Sequence, residues 1–153
     1  CAVLMLALRT ADAVPSDEAL ITARDTITAR LRPCDTLARV GVGRFGLVVP
    51  RGELGRALEL AGELVAALES GPGIVVRVGI ALFPVEGGGP RRLVGCAEAA
   101  LDASVARGDV VSVFREGGSA PCQLHEAGPL DCVNVVGGGS TGRELHLSIA
   151  AGG

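Results

Sequence analysis

Residues 32–45 read Arg-Pro-Cys-Asp-Thr-Leu-Ala-Arg-Val-Gly-Val-Gly-Arg-Phe. Arginine, proline and aspartate crowd the first four positions, the composition of a stop followed by a turn. Strand-forming residues come next and meet a glycine-rich centre. Gly41 and Gly43 can both take positive φ, which predicts that the chain folds back on itself as a hairpin. Strand character resumes at Phe45 and runs to Val49. The stretch therefore holds a polar turn, Arg32 to Asp35, and a hairpin tip that carries a cation at Arg44.

Outward from this hairpin the pattern is regular. Residues 2–8 form a continuous apolar run, as in a central strand buried on both faces. Residues 9–15 read as a connector. Ser16 can cap a helix whose first turn holds Asp17 and Glu18. Leu20, Ala23, Ile27 and Leu31 share one helical face, and Pro33 is the predicted stop. Leu54, Leu58, Ala61, Val65 and Leu68 mark a second amphipathic helix, broken by residues 71–73. Residues 74–83 read as a long buried strand and 86–90 as a flexible loop. Leu93, Ala97, Leu101 and Val105 give a third helix ended by Gly108, and residues 110–114 a further strand. The order strand, helix, hairpin, helix, strand, helix, strand predicts an α/β chain of the α+β sandwich kind, with helices covering a mainly antiparallel sheet. There is no internal repeat.

The tail from Arg115 differs. It is rich in Gly, Ser and Pro up to Pro129, and two strand-like runs follow at 132–136 and 144–150. Gly-Gly-Gly-Ser-Thr-Gly joins them at 137–142. The runs read as an extra β-hairpin at the sheet edge; the other reading is a flexible linker carrying a docking segment. The expected division is residues 1–114 and a C-terminal extension, 115–153.

Composition removes several classes of function. A chain of 153 residues with 48% hydrophobic residues can bury a full core. Its net charge is -3, with three Phe and no Tyr or Trp, so there is neither a basic block nor a stacking platform for nucleic acid. No apolar run is long enough to span a bilayer. The start at Cys1 without an initiator Met suggests a fragment of a longer protein. Five widely spaced cysteines argue against a disulfide framework and for a reducing cytoplasm. Cys122, His125 and Cys132 match no strong zinc pattern, so no metal is expected there.

Four pieces in order resemble the GGDEF family of bacterial diguanylate cyclases. Arg-Pro-x-Asp-x-x-Ala-Arg-x-Gly at 32–41 is similar to that family's approach to its signature hairpin. Phe-Gly-Leu-Val-Val-Pro at 45–50 resembles the strand and proline after it. Val-Arg-Val-Gly-Ile-Ala-Leu-Phe-Pro at 76–84 resembles a Val-Ser-Ile-Gly-Val-Ala strand, and Cys-Ala-Glu-Ala-Ala-Leu-Asp at 96–102 an Ala-Asp-x-Ala-Leu-Tyr helix. The resemblance covers roughly residues 2–114 and implies a palm-like cyclase fold.

Active members condense two GTP molecules into cyclic di-GMP with divalent metal held by carboxylates. The resemblance places the first-strand Asp near Ala7 and the two motif acids at Gly43 and Arg44. Val42 stands for a glycine and crowds the turn, and the late Tyr and Lys fall at Asp102 and near Val105. The motif Gly41, Val42, Gly43, Arg44, Phe45 is thus degenerate. No catalytic residue, metal or cofactor is expected, and Arg44 is read as a solvated hairpin residue rather than a phosphate grip.

The family's inhibitory site, Arg-x-x-Asp, matches Arg32 and Asp35. This implies a receptor for cyclic di-GMP in bacterial signalling. Arg32 can donate two hydrogen bonds to phosphate or guanine, and Asp35 can accept from guanine or hold Arg32. The family's second arginine comes from the next helix or a neighbouring subunit. By register it falls near Glu63, leaving Arg56 or Arg30 as stand-ins. The same four residues also make a good stop and turn. The competing expectation is therefore a ligand-independent module for a protein partner or a homodimer.

Overall fold

A computed structural model of the chain describes residues 1–10, 15–71, 73–83, 89–115, 131–137 and 145–148. Chain order is β1 (Ala2–Thr10), α1 (Asp17–Thr28), β2 (Thr36–Gly41), β3 (Arg44–Val49), α2 (Leu54–Leu68), β4 (Ile74–Leu82), α3 (Pro90–Arg107), β5 (Val111–Arg115), β6 (Asp131–Gly137) and β7 (Leu145–Ser148). One seven-stranded sheet runs β2-β3-β1-β4-β5-β6-β7. Among the described residues, only β4 and β5 pair in parallel, and α3 lies between them in the chain as the crossover. The other pairings are antiparallel, as the sequence predicts for β1 to β5.

Alternation along β1 sorts the core into two layers. Leu4, Leu6 and Leu8 pack with Phe45, Leu47, Val76, Val78 and Ile80 beneath α1 and α2. Val3, Met5 and Ala7 face the other way and pack under α3. Residues 2–8 are buried throughout, which is why that run shows no polar alternation. In α2, Ala57, Leu60, Ala61, Leu64, Val65 and Leu68 form a single buried stripe. Burying each of its leucines contributes about 1.5–3 kcal/mol.

The buried face of α3 is built from small residues, Cys96, Ala97 and Ala100, around Leu93 and Leu101. Such a face lets the helix lie close to the sheet. It rests on Gly79, where an added Cβ would collide with the Leu101 amide nitrogen and the Ala97 carbonyl oxygen.

Several boundaries differ from the expected ones. Helix α1 ends at Thr28, before Pro33 can act. The chain tightens first, with Arg30 and Leu31 donating to the Ile27 and Thr28 carbonyls three residues back. Pro90 opens α3 instead of closing a loop, since its missing N–H is no loss in a first helical turn; residues 86–88 lie outside the described residues. Of Gly41 and Gly43, only Gly43 takes positive φ, at 65°. Ser16 caps α1 through the Ala19 amide and Gly108 closes α3 at φ 78°, both at the predicted places.

The two tail strands form an antiparallel pair, and β6 lies against β5. The extension thus continues the sheet as an edge hairpin. Residues 138–144, including most of the glycine-rich joint, lie outside the described residues, as do Cys122 and His125. Among the described residues, no helix is long and apolar enough to cross a membrane.

Candidate functional site

Arg32 and Asp35 clamp the turn between α1 and β2 onto itself. The Arg32 amide donates to Asp35 Oδ2 at 2.9 Å. The Asp35 amide donates back to the Arg32 carbonyl, also at 2.9 Å. Asp35 therefore holds the Arg32 backbone, and the Arg32 guanidinium has no ion-pair partner among the described residues. Cys34, exposed and free, sits with Sγ 3.8 Å from Asp35 Oδ1.

This turn forms one wall of a cleft of about 640 Å³ between α1 and the edge strand β2. Phe45, buried on β3, makes the floor with Leu37 beside it. Arg39 pairs with Phe45 in the β2–β3 register and so shares its face. Opposite, Leu20, Arg24 and Thr28 recur at helical spacing along α1, and Ile21 forms an apolar lip that is 53% exposed. Arg24 bonds the neighbouring Asp25 at 2.7 Å, with both groups largely in solvent. An exposed pair of this kind is weak and can exchange for another anion.

Arg32 and Asp35, which the sequence singles out, line this cleft together with Arg24 and Arg39, which it does not. Their signals were present but faint: Arg24 follows the core residue Leu20 by four, and Arg39 follows Leu37 by two. The stand-ins fare differently. Arg56 lies 3.7 Å from Glu59 and 4.0 Å from Glu63. Arg30 donates to the Thr26 carbonyl. Neither lines the cleft.

The hairpin tip borders a second cleft, of about 590 Å³, on the α3 side of the sheet. Ala7 faces Arg44 in the β1–β3 register, so two of the three positions where the resemblance expects acids are direct neighbours. The Leu8 amide donates to the Gly43 carbonyl at 2.8 Å. A Cβ on Gly43 would lie 2.8 Å from the Leu8 carbonyl oxygen. Val42 points outward and is 67% exposed, so it does not crowd the turn.

Arg44 is half exposed and is more than a solvated tip residue, because it reaches Asp102 on α3 at 3.7 Å. Among the described residues, Asp102 is the one carboxylate lining this cleft, against Arg9 and Arg44. Among the described residues no three acidic, Cys or His groups gather as a metal site. A lone carboxylate facing two guanidiniums does not fit a divalent cation, which needs several oxygen ligands.

Solved structures of other proteins share this architecture. The GGDEF domain of TpbB, also called YfiN, from Pseudomonas aeruginosa has a TM-score of 0.63 at 23% identity, over 72% of this chain and 73% of that one. The GGDEF domain of DgcB from Caulobacter crescentus, solved in complex with c-di-GMP, has a TM-score of 0.60 at 18% identity, over 73% and 77%. The diguanylate cyclase SiaD from Pseudomonas aeruginosa, solved with its activator SiaC, has a TM-score of 0.63 at 19% identity over 72% of this chain. This chain covers 48% of SiaD, about half its length. These likenesses show that the chain has the fold of a GGDEF domain. No protein-family model and no curated protein matches it.

Proposed function

We propose that this chain is a catalytically silent GGDEF-like signalling domain that receives cyclic di-GMP in the cleft beside Arg32 and Asp35. The observation that carries the reading is the clamped turn. It presents an Arg32 guanidinium without an ion-pair partner among the described residues to a cleft of about 640 Å³, within the usual range for small ligands. A turn already closed by Asp35 lowers the ordering cost on binding. DgcB, which shares the fold, was solved with the same dinucleotide.

The second cleft supports the reading of catalytic silence. Phosphoryl transfer needs cations that neutralise the phosphate oxygens, and these need carboxylate ligands. Ala7 and Gly43 carry no side-chain ligand atom, and Arg44 pairs with Asp102. An exposed free thiol at Cys34 accords with a cytoplasmic setting.

Calorimetry with cyclic di-GMP on the wild type and on Arg32→Ala tests the reading. Micromolar binding that is lost in the variant supports it. Absence of heat and of thermal shift at high ligand would overturn it. A second reading, a protein-docking module, is favoured by one feature: β2 is an edge strand, and Val40 and Val42 at its end are 50% and 67% exposed. Retention of a partner by a chain that binds no dinucleotide would establish it.

A further inference from the structure

We infer that the dinucleotide cleft is completed within one chain, by Arg24 of α1 and Arg39 of β2. No arginine from α2 or from a second subunit is then required. This rests on the reading of Arg32 and Asp35 as a cyclic di-GMP site and goes beyond it.

The three arginines reach the cleft from three elements: the α1 helix, the turn and the β2 edge. Their positions are set by separate constraints. Arg24 is fixed by the helical stripe that buries Leu20, Ala23 and Ile27. Arg39 is fixed by its register with Phe45. Arg32 is fixed by the Asp35 clamp. Convergence from three independent elements on one apolar floor is the usual build of a site for a ligand with charged and flat parts.

Charge fits as well. Three guanidiniums against the Asp35 carboxylate leave two positive charges on the lining once Arg24 exchanges its exposed Asp25 partner for the ligand. Cyclic di-GMP carries two phosphodiester charges. Guanidinium forks suit phosphate oxygens, and each such charge-assisted bond is stronger than a neutral one. Ile21 is exposed although large and apolar, and it stands at the rim where a purine face could cover it. The α2 arginine is set apart by position: Arg56 does not line the cleft and stands between Glu59 and Glu63 on its own helix.

The experiment titrates the whole chain with cyclic di-GMP, as wild type and as Arg24→Ala, Arg39→Ala, Arg32→Ala and Arg56→Ala, and measures sedimentation with and without saturating ligand. Arg24 and Arg39 are exposed, so their variants should fold, which melting checks. Each should weaken binding by roughly 10- to 100-fold. Arg56→Ala should bind as wild type, and ligand should leave the sedimenting mass unchanged. If Arg32→Ala abolishes binding while Arg24→Ala and Arg39→Ala bind as wild type, the inference fails and the receptor reading stands. A mass that doubles with ligand also defeats it, since a second chain would then complete the site. A wild type that binds nothing overturns both.

Discussion

The Arg44 guanidinium lies 3.7 Å from the Asp102 carboxylate, tying the β2–β3 hairpin to α3. Both side chains are largely in solvent, at 45% and 68% exposure, so the tie is weak. Arg44→Ala or Asp102→Ala should lower stability by about 0.2–1 kcal/mol in urea unfolding, less at high salt. A double variant no worse than either single one would confirm that the two act as a pair.

Arg44→Glu restores an acid at the motif position. It should not restore chemistry, because Ala7 opposite still offers no ligand and Asp102 would then face a like charge. Incubation with GTP and magnesium should yield no cyclic di-GMP from the wild type or from this variant. Turnover above a blank in either would contradict the account of the second cleft.

Gly43→Ala tests the hairpin tip. The residue sits at φ 65°, and its Cβ would meet the Leu8 carbonyl oxygen at 2.8 Å. Left-handed backbone alone costs a non-glycine residue about 1–2 kcal/mol, and the close approach adds to it. A melting temperature within a degree of wild type would show that the turn relaxes freely.

Gly79→Ala strikes the contact between sheet and helix. The added methyl would collide with the α3 backbone at Ala97 and Leu101, which has no flexible end to move aside. Overpacking of this sort costs about 1–3 kcal/mol or more. Urea unfolding should show a loss larger than that of Ser16→Ala, which removes only the α1 cap and costs about 0.5–2 kcal/mol.

Most of the architecture was legible because its signals are local. The apolar run at residues 2–8 marked a strand buried on both faces, and Leu54, Leu58, Ala61, Val65 and Leu68 marked a helix, whose buried face takes in Ala57, Leu60 and Leu64 instead of Leu54 and Leu58. What escaped depended on neighbours in space. Pro33 looked like the stop of α1, yet the backbone had already tightened at residues 29–31. Gly41 and Gly43 are equivalent by sequence, and only the close approach of Leu8 singles out Gly43. Arg32 and Asp35 could be found because both lie in one turn. Arg24 and Arg39 could not, since the first is near the site through the packing of α1 and the second through pairing with β3.

In the proposed reading the dinucleotide sits between α1 and β2 and not at the hairpin tip. Backbone amide spectra of the isotope-labelled chain, followed through a titration with cyclic di-GMP, test it most directly. Shifts should concentrate at Arg24, Thr28, Arg32, Asp35, Leu37 and Arg39, with Thr10, Gly43, Arg44 and Asp102 still. Shifts at the second group with the first unmoved, or no shifts at saturating ligand, would contradict it.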